Sequence, residues 1–268
     1  MICDRSDTFS YQCMSPRTSV FNGLLFSFFL GINAWIDASR VAYLDSQALF
    51  SNSVLDRSAQ LEKKYSFEFS GAENTSEVHS LQFAGFFMSI CHVVFVVQEG
   101  ALCDRDLIEK LKVSELLRPS VMASKSVEES DKLVEYAPEI VFIHNKVKNI
   151  DFGPQTYAKL REEYENLFKE GGFNFRCRTN LSSDNTTDGI NLIFLPDIKD
   201  PDRPSDFLKC ISKLKRALSQ LQPRPFISDV KKGQNEKLWF QHTKRMWDQI
   251  KTSSFYLEYS RLLRQRTV

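Results

Sequence analysis

The stretch from His79 to Glu99, HSLQFAGFFMSICHVVFVVQE, most restricts what this chain can fold into, because a helical pattern runs into a strand pattern with almost no punctuation. Leu81, Ala84 and Met88 recur at helical spacing, and so do Phe83, Phe87 and Ile90. The segment before Cys91 is therefore apolar around most of its circumference, which predicts a largely buried helix. Val93 to Val97 then form an unbroken β-branched and aromatic run. Such a run predicts a strand covered on both faces, as in the middle of an α/β sheet.

Two further runs have the same character. Glu139 to His144, EIVFIH, and Asn191 to Leu195, NLIFL, predict buried strands, the second closed by Pro196. Helical patterns alternate with them. Asp104 to Leu117 opens on a capping aspartate and stops before Pro119; Tyr157, Leu160, Tyr164 and Leu167 make a stripe that ends at Gly171 and Gly172; Phe207, Ile211, Leu214, Leu218 and Leu221 make another, ended by Pro223 and Pro225. Strand, helix, strand, helix, strand, helix implies parallel strands joined by right-handed crossovers. Ahead of them, Asn33 to Ile36 and Val41 to Leu44 read as a β-hairpin leading to Asp45, and residues 48–64 as a helix or broken helix. Residues 118–137 are rich in Ser and charge and read as a flexible insertion. Glu236 to Arg266 reads as one long helix with Trp239, Met246, Ile250 and Leu257 on a stripe, flanked by Trp247, Tyr256 and Leu263. Trp239, Trp247 and Ile250 are its candidate anchor and interaction residues, because so many large apolar groups on one helix surface must be covered by the chain itself or by another protein. The expected organisation is an atypical N-terminal segment over residues 1–30, an α/β domain over 31–225, and a C-terminal helical extension over 226–268.

Charge is nearly balanced at +1, but its sign is uneven: residues from Lys199 onward carry 16 Lys and Arg against 7 Asp and Glu, or +9, which leaves −8 before them. No alternation of basic and aromatic residues accompanies the basic part, so a solvated helix surface is the expectation and RNA binding a third, weaker reading. The six cysteines include no CxxC pair, and the four histidines have no metal-ligand spacing. Reduced thiols, no metal site and a cytoplasmic location, with the nucleus also open, are expected. His92 and His144 read as satisfied residues at strand ends. The NxS/T matches at Asn74, Asn180 and Asn185 read as chance, as no signal peptide is seen. Val20 to Ile36 is the most hydrophobic stretch, but at 17 residues interrupted by Asn22, Gly23, Gly31 and Asn33 it is expected to be a buried segment and not a membrane span.

Ligands of α/β sheets lie beyond the carboxyl ends of the strands, which directs attention to Asp45, Gln98 to Gly100, Asn145, Lys146 and Asp197. Asn145 and Lys146 after a buried strand resemble the guanine-reading NKxD element of small GTPases, and Asp45 stands where their DxxG carboxylate would be. These three are the candidate nucleotide-binding residues. The departures weigh more: Lys148 replaces the NKxD aspartate, DxxG is DSQA, and GxxxxGK[ST] does not occur, so neither a backbone cradle nor a phosphate-bound lysine is supplied. GxSxG and a GxGxxG following a strand are absent as well.

The strings LQFAGFFMSICHVVFVVQE, VAYLDSQ from Val41, VFIHNK from Val141 and above all WFQHTKRMWDQIKTSSFYLEYSRLL from Trp239 resemble the nonsense-mediated mRNA decay factor SMG nine family, over about residues 31–266. The resemblance implies a GTPase-like, P-loop NTPase type α/β fold, here lacking a recognisable P-loop, with a mainly parallel sheet flanked by helices and a C-terminal helix. It implies a heterodimer with the larger SMG eight protein, association of the pair with the SMG one protein kinase, and through that kinase a link to the helicase Upf one and to mRNA. No membrane partner is implied. Family members ordinarily carry a phosphate loop ahead of the hairpin, where residues 1–30 stand here. No cofactor is therefore expected in this chain, GTP, GDP or ATP being what the family could take. The leading expectation is a non-catalytic scaffold or regulatory subunit. The alternative is a nucleotide-binding GTPase or ATPase whose phosphate loop is missing from this chain.

Overall fold

The computed structural model describes residues 32–36, 41–46, 48–50, 71–119, 136–170, 189–198, 204–219, 221 and 235–266. The chain divides into two compact units, one of residues 85–252 and one of residues 1–84 with 253–268.

The larger unit holds the buried strand runs. β3 (Val93–Glu99), β4 (Glu139–Val147) and β5 (Asn191–Pro196) form a parallel sheet in the order β3-β4-β5, with Val93 opposite Glu139 and Phe142 opposite Leu192. Helices α2 (Arg105–Leu117), α3 (Pro154–Glu170) and α4 (Pro204–Ser219) alternate with the strands, as parallel pairing requires. Side chains alternate across the pleat, so Phe142, His144, Leu192 and Phe194 share one face. α3 covers it: the Tyr164 and Phe142 rings lie 4.5 Å apart, and the Tyr157 hydroxyl donates to the Leu192 carbonyl at 2.9 Å. Val141, Ile143 and Ile193 are buried on the other face.

β3 departs from the expected strand covered on both faces. It pairs with β4 alone among the described strands, and Val97 is 60% exposed. Five consecutive apolar residues do not distinguish a central strand from an edge one, because the burial of each face is set by what packs there. β4 runs longer than expected, through Asn145 and Lys146 to Val147, with a register shift between His144 and Val147.

Helix α1 (Ala72–Ile90) spans the division between the units. It is buried nearly all round, as its composition requires: Leu81, Phe83, Ala84, Phe86, Met88 and Ile90 have almost no exposure. Its last turn packs against α5 (Glu236–Thr252). Trp247 meets Phe86 edge-on at 5.2 Å, the Trp239 indole donates to the Ile90 carbonyl at 3.1 Å, and His242 bonds the Ser89 carbonyl at 3.0 Å.

In the other unit, β1 (Ile32–Ile36) and β2 (Ala42–Ser46) form the expected antiparallel hairpin, with Asn33 opposite Asp45. The first turns of α1 meet α6 (Ser254–Arg266), where Asn74 donates to Ser260 and the Tyr259 hydroxyl donates to Glu77. The expected single helix over Glu236 to Arg266 is thus two helices. Ser253 separates them, its hydroxyl accepting from the Phe255 N–H at 3.4 Å in the manner of a helix cap. Leu257, expected on the buried stripe, is exposed.

Among the described residues no helix is long and apolar enough to cross a membrane. The hydrophobic run Val20 to Gly31, the expected helix beyond Phe50 and residues 120–135 of the expected insertion lie outside the described residues. The ends of that insertion are described, and they meet: Arg118 donates to the Tyr136 carbonyl at 3.0 Å.

Candidate functional site at the carboxyl edge of the parallel sheet

The carboxyl ends of β3 and β4 are tied by a relay of hydrogen bonds that starts from the sequence of the turn between β3 and α2. Gly100 has φ +77°, a conformation that costs glycine little and an L side chain more. Its N–H donates to the Asn145 carbonyl at 2.8 Å, and its carbonyl faces His144 Nδ1 at 2.8 Å. A carbonyl only accepts, so Nδ1 carries the proton and Nε2 of a neutral ring accepts from the Tyr164 hydroxyl at 3.0 Å. That hydroxyl in turn accepts from Gln98 Nε2 at 2.7 Å, and Gln98 Oε1 accepts the Asp104 N–H at 2.9 Å. Every step has one donor and one acceptor. Asp104 closes the sequence by capping α2 through the Leu107 N–H at 3.0 Å, the cap its position predicts.

Electrostatics agree with a neutral relay. Burial holds the His144 imidazole below its ordinary value, only partly offset by the Gly100 carbonyl. Burial raises the Tyr164 phenol, and pushes the half-buried Cys103 thiol beside it up to about 11. Cys91 is pushed up to about 12 by burial alone. Neither thiol is poised as a nucleophile near neutral pH. The relay ties the ends of β3 and β4 together.

The sequence-predicted residues fall in two places. Asn145 and Lys146 are side by side at the end of β4, where Lys146 adopts φ +55° in the left-handed region. Its N–H is bonded by the Asn145 Oδ1 at 2.9 Å, and its Nζ lies 3.1 Å from Glu99 Oε1, both side chains largely in solvent. Asp197 joins this edge through its N–H, which donates to the Val147 carbonyl at 3.4 Å. Lys148, in the place of the NKxD aspartate, is exposed. Asp45 lies in β2, in the other compact unit. Trp239 and Trp247 meet α1 of their own chain, and Trp247 and Ile250 are buried. Sequence reasoning missed the part played by Tyr164, which reads as one more stripe residue. Its spacing reports a buried side, and nothing in the sequence reports that the hydroxyl meets Gln98 and His144. Among the described residues no group of three His, Cys, Asp or Glu side chains could hold a metal ion.

No protein-family model matches the chain. Curated relatives do. It is 30% identical over 269 residues to the nonsense-mediated mRNA decay factor SMG9 of Xenopus laevis, 29% identical to that of Xenopus tropicalis, and 28% identical over 266 residues to that of Salmo salar. Each alignment covers 87% of this chain. The resemblance to the SMG nine family thus holds over most of this chain. It spans about half the length of these relatives, 52% in each case. The long string from Trp239 on which the resemblance rests most heavily is, in the structure, the α5 and α6 pair with its seat on α1.

Proposed function

We propose that this chain is a non-catalytic scaffold or regulatory subunit in nonsense-mediated mRNA decay, built on a GTPase-like domain, pairing with the SMG eight protein and associating with the SMG one kinase. The relation to decay factors over 87% of the chain carries the role in decay. The closed relay at the carboxyl edge supports the non-catalytic part.

A guanine nucleotide does not fit the residues present. The carboxylate that would accept from the base is replaced by the exposed Lys148, Lys146 is turned to Glu99, and the main-chain groups of Gly100 and Asn145 are bonded to each other. Phosphoryl transfer rests on positioned amides, a lysine and a metal that hold the spreading charge, and the GxxxxGK[ST] sequence that supplies them does not occur in this chain.

Pairing is tested by light scattering of the chain alone and mixed with the SMG eight homologue. A stable one-to-one complex is the expected result, and two unchanged monomers would end the proposal. Calorimetry with GTP, GDP and ATP in magnesium addresses catalysis. Micromolar binding abolished by Lys146→Ala would favour a working nucleotide site instead.

A further inference from the structure

We draw no further inference here: the strongest candidate, the outer edge of β3, which pairs with β4 alone among the described strands and leaves Val97 60% exposed, carries nothing because nothing in the structure shows what covers it.

Discussion

Truncating Trp247 to alanine is the most demanding test of how the C-terminal part is held. The side chain is 3% exposed, meets Phe86 edge-on at 5.2 Å and 82°, and sits between Met246 and Ile250, both buried. Removing a buried indole costs on the order of 3 to 5 kcal/mol through lost transfer energy and the cavity left behind. The lost aromatic pair, worth about 0.5 to 1.5 kcal/mol, is part of that figure and can be separated by a cycle with Phe86→Leu. Against a typical stability of about 5 to 15 kcal/mol, this is about a fifth or more of the whole. At about 2 to 4 °C per kcal/mol for a unit of this size, the melting temperature should fall by roughly 6 to 20 °C. Calorimetric and urea melts should be followed by near-UV and far-UV signals together, so that separate loss of α5 is distinguished from global unfolding. Gln249→Ala, on the exposed side of the same helix, should move stability by about 0.5 kcal/mol or less. Equal effects of the two substitutions would refute the reasoning, because α5 would then contribute no more on its buried side than on its wet one.

Tyr164→Phe removes the relay's central hydroxyl, leaving the Gln98 amide and His144 Nε2 without it; each buried group left unpaired costs about 1 to 3 kcal/mol, so urea melts should show a loss well above that of an ordinary hydroxyl deletion, and a loss under about 0.5 kcal/mol would mean that water replaces it. Acid should also destabilise the fold. Burial lowers the folded-state values of His144 and His242 from 6.5, so the unfolded chain binds more protons below that point, and stability is complete above about 6.5 and declines as pH falls toward the lowered values. Urea midpoints through this range check the sign, and a midpoint that rose on acidification would contradict it.

The alternating elements of the parallel sheet were legible because their signals are large: three runs of buried apolar residues, separated by stripes at 3.6-residue spacing, admit few arrangements. The hairpin was legible from two short apolar runs around polar residues. The break at Ser253 was not, because Met246, Ile250 and Leu257 continue a helical rhythm across it, and serine is acceptable inside a helix as well as at its cap. The end of β4 was misread for a similar reason. Asn145 and Lys146 are polar and look like a loop, yet a bulged strand carries them by placing Lys146 in the left-handed region, a conformation that side-chain pattern does not report. Gln98, Asn145 and Lys146 stand near the carboxyl ends of β3 and β4, where position along the chain directed attention. The relay through Tyr164 was not legible, since spacing identifies which face is buried and not which polar atoms meet there.

The relay holds the carboxyl edge of the sheet through a few short bonds: Gly100 is held through both its N–H and its carbonyl, and the 3-10 turn Asn149–Asp151 follows within two residues of Val147. A neutral, fully paired relay achieves this without burying a charge, whose desolvation would cost several kcal/mol. It also consumes the main-chain donors at the strand ends that a phosphate or a base would need. On the function proposed above, this fixed edge belongs to a scaffold: the strand ends are tied to one another through Gly100, His144 and Tyr164, so the turn after β3 and the end of β4 move together or not at all.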